Sequence, residues 1–347
     1  MRTFNYEEAA KHCIDNEIVN LLIKIHEKNV RLNYILESEK YDFEDFAKQA
    51  KLESIISSNR MEYSYFNVDE VERVIEKDSP LMIQDKEVCG YNFALTEIFK
   101  AKRPHCIKDI SLLNEYFQRY DIYDKDFKQR TQNYGVDKYD KNGKCALDLK
   151  PVDFDKINKY LDLISHASYK LMWEDKIDFL LVLPICILDL LKVYPLDYNS
   201  EQVIRLLMIA MLWAKHYQIC KYISIERLIE DSSDEYYSAI VKSLEHWDDG
   251  FNDYKPFVKY ALKTILKAYK EFEERIVYIV VEPKSKPERV EQFIMDADSD
   301  VIKRDIMYYC PDISETTIEI ALRELKNEGK ILKIGGGRYT RYRYNHK

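Results

Sequence analysis

The residues of this chain best suited to chemistry lie in one polar break, Tyr194-Pro195-Leu196-Asp197-Tyr198-Asn199-Ser200-Glu201-Gln202, with Arg205 just beyond it. The break separates two apolar runs, and a loop carried between rigid core elements is where binding and catalytic groups are commonly held. A phenol has an ordinary pKa of about 10, and bringing it to neutrality costs about 4 kcal/mol, so Tyr194 is a poor base at neutral pH. No cationic cluster in the neighbouring sequence would lower it. Asn199 reads as a good N-cap with Gln202 at the capping-box position, and Glu201 falls in the first turn, where a carboxylate suits the helix dipole. The expectation is a helix end satisfied by its own side chains. Arg205 is a lone charge in an apolar helix and must find a partner. Pairing for stability and contact with a phosphate are both open to it.

The elements that hold this break are the runs Phe179 to Val193 and Val203 to Trp213, each apolar enough for a buried helix. Around them the spacing predicts further helices: residues 5 to 35, Asp42 to Ser58, a short one at Val68 to Ile75 with Asn67 and Asp69 as caps, Val88 to Phe99, and Ile110 to Tyr120 after the Lys102-Arg103-Pro104-His105 turn. Asn142-Gly143 signals a small β-hairpin within Gly135 to Leu147. Helix resumes at Asp153, a plausible cap, through Leu171, and again from Tyr236 to His246 and from Tyr254 to about Val280, with Ser224 as a partial cap before them.

Length and composition bound the function classes. A chain of 347 residues, 46% hydrophobic and 33% charged, reads as a globular chain of two domains. No apolar stretch is long enough to span a bilayer, and the start carries no signal-like apolar core, so a cytoplasmic protein without a membrane partner is expected. The seven cysteines are scattered without a C-x-x-C pair, which signals neither zinc nor a disulfide framework. No H-x-x-x-H, Cys/His cluster or G-x-G-x-x-G is present, so no metal site is assigned. His216, down the second core helix, reads as an ordinary half-buried histidine.

After Val281-Glu282-Pro283-Lys284-Ser285-Lys286-Pro287 the pattern changes to three helices, Glu288 to Met295, Val301 to Tyr309 and Glu315 to Asn327, then strands Ile331 to Ile334 and Tyr339 to Tyr344 about Gly335-Gly336-Gly337. This is a winged helix-turn-helix pattern. From Pro283 onward thirteen Lys and Arg face eleven Asp and Glu, a surplus of two positive charges in a chain of net charge −8. That polarity favours DNA, with Thr316, Thr317 and Arg323 on the groove helix and Arg338, Arg341 and Arg343 on or beside the wing, although Glu315 and Glu319 oppose phosphate. Winged helices also bind proteins. The expected domains are N-terminal helices over 1–75, a core over 76–280, a linker over 281–286 and the winged helix over 287–347.

Four local patterns taken together resemble the Fic (Fido-fold) family, whose typical members transfer AMP from ATP to a protein hydroxyl. Tyr194-Pro195-Leu196 to Arg205 stands where that family carries H-P-F-x-x-G-N-G-R-x-x-R, and Ser58-Asn59-Arg60-Met61-Glu62 matches its inhibitory S/T-x-x-x-E-G/N up to Tyr63. The hairpin near Asn142-Gly143 matches the flap that aligns the target protein, and Lys221 to Leu228 matches the segment after the core helix. The resemblance runs from about Phe43 to Glu274 and implies a mainly α Fic-like helical bundle with a β-hairpin flap, joined to a C-terminal winged helix.

The resemblance further implies a role for each motif position. Tyr194 replaces the histidine base, and Asn199, Ser200, Glu201 and Gln202 replace the glycine-rich phosphate cradle, with Glu201 set to repel phosphate. Tyr198 falls at the magnesium-holding acid, with Asp197 adjacent. Ser58 and Glu62 take the inhibitory positions, and Glu62 would pair with Arg205. The expectation is a catalytically degenerate Fic-like protein acting as a regulatory or binding module. The alternative is an adenylyltransferase with a variant loop, autoinhibited by Glu62, and only that reading calls for ATP and magnesium; a target protein at the flap near Asn142 is open on both.

Overall fold

The computed structural model describes residues 2–62, 71–78, 80, 82–101, 106–120, 129–139, 143–174 and 176–346, the side chains of Trp173 and Arg338 apart. The N-terminal apolar spacing is carried by two helices, α1 (Tyr6–Cys13) and α2 (Asn16–Glu37), rather than the single one expected over 5–35. The break has a local cause: Asp15 accepts the Ile18 N–H at 2.8 Å and starts a new helix. Next come α3 (Glu44–Arg60), α4 (Val71–Lys77), α5 (Ile83–Lys100) and α6 (Ile110–Phe117). The proposed caps Asn67 and Asp69, and the turn from Lys102 to His105, lie outside the described residues.

The hairpin forms as β1 (Val136–Tyr139) and β2 (Cys145–Leu149), antiparallel with Val136 opposite Leu149 and Lys138 opposite Leu147. Asn142 lies outside the described residues, but Gly143 has φ 76°, the left-handed backbone that glycine adopts without strain. Helix α7 (Ile157–Trp173) follows a short turn at Phe154–Lys156. Asp153 does not cap it as expected, because its carboxylate is taken by Lys156 Nζ at 2.5 Å and Asn133 Nδ2 at 3.3 Å.

The two apolar runs become α8 (Phe179–Val193) and α9 (Ser200–Ala214). Every residue of α8 is buried, and so is all of α9 but Met208, Trp213 and Ala214. Helix α8 packs on α1, α7 and α9, and α9 packs on α5 and α6. Gly90 lets α5 and α6 meet: a Cβ there would stand 1.8 Å from the Phe117 carbonyl oxygen. Inside α8 the carboxylate of Asp189 accepts from Tyr6 (2.7 Å), Trp247 (2.6 Å) and Tyr254 (2.9 Å), which ties α1 to the core helix. Burial raises its pKa to about 6 against the pull of Arg2 and these donors. His216 is not half-buried on α9 but exposed beyond its end, at φ 60°.

Four helices follow: α10 (Ile219–Tyr222), α11 (Ile225–Asp231), α12 (Ser233–Leu244) and α13 (Lys255–Val280). Ser224 caps α11 unaided, its Oγ accepting the Arg227 N–H at 3.0 Å. The chain divides into two compact units, Met1–Asn33 with Lys51–Tyr269, and Tyr34–Ala50 with Lys270–Lys347. The change of composition at 281–286 thus lies inside the second unit, and α14 (Lys286–Asp296) begins at its last residue.

In that unit α15 (Lys303–Tyr309) and α16 (Glu315–Asn327) lead to β3 (Ile331–Ile334) and β4 (Arg341–Tyr344), paired antiparallel. Gly329, at φ 75°, ends α16. Strand β4 starts two residues later than expected because Gly337–Tyr339 form a tight helical turn. Val301 adds a further rung to Tyr342. A core including Val290, Ile294, Ile306, Ile318, Leu322 and Ile331 closes these elements, and Phe43 and Phe46 set their edges on Phe272 at 5.4 and 5.9 Å.

Candidate functional site

The loop between α8 and α9 is held by a segment that the sequence did not single out. Arg130, 2% exposed, donates to the carbonyls of Val193 (3.3 Å), Tyr194 (3.1 Å) and Val152, while its own N–H reaches the Pro195 carbonyl at 2.9 Å. Tyr134 Oη donates to the Asp197 carbonyl at 2.9 Å, and Asp197 Oδ1 accepts the Thr131 N–H at 3.2 Å. Four donors therefore fix the backbone of 193–197, and the carboxylate beside the position that the resemblance gives to magnesium is already engaged. Tyr198, at that position itself, is 72% exposed. No group of three or more His, Cys, Asp or Glu side chains among the described residues is placed to hold a metal ion.

Tyr194 ends α8 in a left-handed conformation (φ 48°) and is 8% exposed, its ring edge-on to Tyr134 at 6.3 Å. Burial, then the Glu201 and Glu62 carboxylates, push its phenol well above the ordinary value and outweigh Arg205. It stays protonated at any physiological pH and cannot take a proton from a hydroxyl.

The helix end at Ser200 differs from the expected capping box. Asn199 is left-handed (φ 61°, ψ 19°) and its side chain makes no cap bond; only its carbonyl enters the helix, accepting the Val203 N–H at 2.9 Å. Capping side chains reach the N2 or N3 amide from the extended region, which Asn199 does not occupy. Ser200 Oγ turns back to the Leu196 N–H at 2.8 Å and carbonyl at 3.1 Å. Gln202 is fully buried with both amide atoms unpartnered, so it closes no capping box.

Beneath this end four charges meet. Arg205 Nη2 reaches Glu62 Oε1 at 3.0 Å and Ser58 Oγ at 3.3 Å, the contact the inhibitory pattern implied. Lys138, from β1, reaches Glu62 Oε2 at 2.8 Å and Glu201 Oε1 at 3.3 Å, and Arg205 Nη1 lies 3.6 Å from Glu201 Oε2. The two contacts to Glu201 are close enough to attract but are not aligned as hydrogen bonds, so Glu201 Oε1 and Arg205 Nη1 accept and donate none. Burial alone would raise the Glu62 carboxyl, yet Lys138 and Arg205 hold it below the usual range. Burial and the neighbouring Glu62 push Glu201 up, against the same two cations. Lys138 is raised in spite of burial because it faces both carboxylates. Two cations and two carboxylates leave no spare positive charge. Nothing in the sequence near Lys138 or Arg130 points to these roles, since Val193, Tyr194 and Glu62 lie 63 to 76 residues away along the chain.

In the second unit Thr316 is exposed and Thr317 Oγ1 is 2.8 Å from the capping Ser314 Oγ. Lys303 binds Glu315 at 2.6 Å and Glu319 at 2.8 Å, one ammonium against two carboxylates. A groove of about 780 Å³ between α15, α16 and the hairpin carries Lys303, Arg304, Arg323, Lys326 and Lys333 together with Glu319, the partner of Lys303. Arg341 is exposed and Arg343 pairs with Asp300 at 2.6 Å, while the Arg338 side chain lies outside what is described.

The arrangement has counterparts among solved structures. A Fic family protein from Desulfovibrio desulfuricans G20 superposes with a TM-score of 0.62 at 16% identity, over 96% of this chain and 97% of that one. A Fic domain containing signaling protein from Bacteroides thetaiotaomicron VPI-5482 gives 0.55 at 15% identity, over 74% and 95%, and Fic-1 from C. elegans gives 0.52 at 15%, over 74% and 71%. No family model and no curated protein matches the sequence. The chain has the Fic fold, mainly helical with small antiparallel strand pairs. No helix among the described residues is long and apolar enough to cross a membrane.

Proposed function

We propose that this Fic-fold chain transfers no nucleotide and serves as a binding module, its C-terminal unit acting as a winged helix on DNA. The observation that carries the first half is the closed cluster of Glu62, Lys138, Glu201 and Arg205 at the α9 end where a nucleotide's phosphates would have to sit. A triphosphate would add at least three negative charges beside two buried carboxylates and would have to strip Glu62 from Arg205. Tyr194, held protonated, supplies no base. Calorimetric titration of the whole chain with magnesium and ATP tests this: no saturable heat at millimolar nucleotide is expected, and a fitted single site would overturn it.

The DNA half is supported by the helix and hairpin order and by the basic groove along α16. Gel shifts over a salt series are the measurement. Binding should weaken with salt, and changing Arg323, Arg341 and Arg343 to alanine should flatten the log–log slope by about 3. An unchanged slope contradicts phosphate contact.

One observation favours a second reading, a transferase restrained by Glu62. Gln202 Nε2 and Oε1 and Arg205 Nε and Nη1 are buried without partners, a set that a bound polar group would satisfy. On this reading ATP binds weakly and Arg205→Ala removes the binding.

A further inference from the structure

A different part of the molecule carries a ligand-sized cavity with two buried arginines. It lies in the second unit, holds about 170 Å³, and is walled by Tyr278, Phe293, Tyr309 and Ala297, with Arg275 and Arg289 among its lining. A cavity of about 150 Å³ takes one benzene ring, so this one accommodates a ring with a small substituent. The Phe293 and Tyr309 rings lie 4.7 Å apart at 32°, and with Tyr278 they offer flat apolar surface.

Each arginine keeps one buried N–H without an acceptor. Arg289 is 5% exposed and meets Asp312 through Nη2 alone, which leaves Nη1 and Asp312 Oδ1 both unpartnered. Arg275 is 3% exposed; its Nη2 donates to Gln49 Oε1 at 2.9 Å and to the Tyr308 carbonyl at 2.8 Å, and its Nε has no acceptor. Glu271 stands 3.9 Å from Arg275 Nη1, and the guanidinium lies over the Phe46 and Tyr308 rings at 4.8 and 4.9 Å. Asp296, the acid in the cavity lining, is engaged by Tyr278 Oη at 3.1 Å and Gln292 Nε2 at 2.7 Å. A buried guanidinium N–H without an acceptor costs free energy that a carboxylate, matched to the planar fork, would recover.

We propose that the second unit binds a small aromatic carboxylate in this cavity, its ring among Tyr278, Phe293 and Tyr309 and its carboxylate on Arg275 and Arg289. The chemistry separates the two halves of the ligand: the walls select a ring, and the arginines select an anion. The site lies wholly within the second unit.

The test is calorimetry on the full chain with benzoate as probe, read beside the NMR shift of the Ala297 methyl group. One saturable site is expected, with acetate, which lacks the ring, and benzyl alcohol, which lacks the charge, each binding at least about tenfold more weakly. Arg289→Gln and Arg275→Gln should each weaken benzoate by about tenfold to a hundredfold. Because either arginine change can unfold the unit, Ala297→Phe is the second variant: it fills the cavity from its wall and should abolish binding while the melting temperature is kept. No saturable benzoate site, benzyl alcohol binding as well as benzoate, or binding that survives Ala297→Phe each overturns the proposal.

Discussion

Replacing Lys138 with methionine removes the β1 ammonium that touches both carboxylates while keeping most of its packing. At an effective dielectric constant of about 20, the contacts at 2.8 and 3.3 Å correspond to gross attractions of about 6 and about 5 kcal/mol. Repulsion from Arg205 and desolvation of the ammonium cancel much of this, and breaking a buried pair from one side costs about 3–5 kcal/mol. The expected loss at pH 7.5 is therefore about 3 kcal/mol. Its pH dependence has a definite sign. Glu201 is already raised by burial and by Glu62, and losing Lys138 raises it further. A carboxyl whose folded pKa exceeds its unfolded value contributes stability that is present below the unfolded value, near 4.3, and lost as pH rises through the folded value. The variant should thus lie nearer the parent at pH 5 than at pH 7.5, because falling pH favours the protonated Glu201. All three tryptophans, Trp173, Trp213 and Trp247, lie in the first unit, so urea unfolding followed by their fluorescence reports on that unit. Adding Glu201→Gln to Lys138→Met should restore most of the loss. A cost under about 1 kcal/mol, as for a solvated pair, or an equal cost at both pH values, would refute the reasoning.

Further outcomes follow from other contacts. Gly90→Ala would drive a methyl group to 1.8 Å from the Phe117 carbonyl, so a loss of about 1–3 kcal/mol is expected by the same unfolding measurement, and a neutral change would show that α5 and α6 separate freely. Arg130→Gln strips the donors from the carbonyls of 152, 193 and 194 and should cost about 3 kcal/mol, while faster amide exchange at residues 194–198 marks the loop as the part released. His26 Nε2 lies 2.6 Å from Asp178 Oδ2; the hydrogen bond to Asp178 raises its pKa against partial burial. Its stabilising contribution is complete below about pH 6.5 and fades as pH rises through the raised value, and with the ring 43% exposed it amounts to under about 1 kcal/mol. His26→Asn should flatten that part of the stability profile, and an unaltered profile would remove the ion pair from the account.

How far the sequence could be read follows the range of the interactions. Helices α8 and α16 and strand β3 lie where apolar periodicity, Gly329 and the glycine run place their ends, because each of those signals acts within a few residues. The Glu62 and Arg205 contact and the fold were legible through the family resemblance. What failed was conformation at single residues and pairing at a distance. Asn199 has the side chain of a cap, but its left-handed backbone points that side chain away from the amides, and residue type does not disclose φ. Lys138 and Arg130 look like ordinary surface cations in a stretch without periodicity, and only the folded hairpin and the segment before it bring them to the α9 end.

The central claim is that the α9 end is closed to nucleotide by charge rather than merely restrained by Glu62. Incubating the Glu62→Gly chain with ATP labelled at the α-phosphate, with magnesium and a cell lysate, tests it most directly, because this change frees Arg205 while leaving Tyr194, Glu201 and Gln202 in place. The account predicts no label on the chain or on any lysate protein. Label that accumulates with time and disappears with Tyr194→Phe would contradict it.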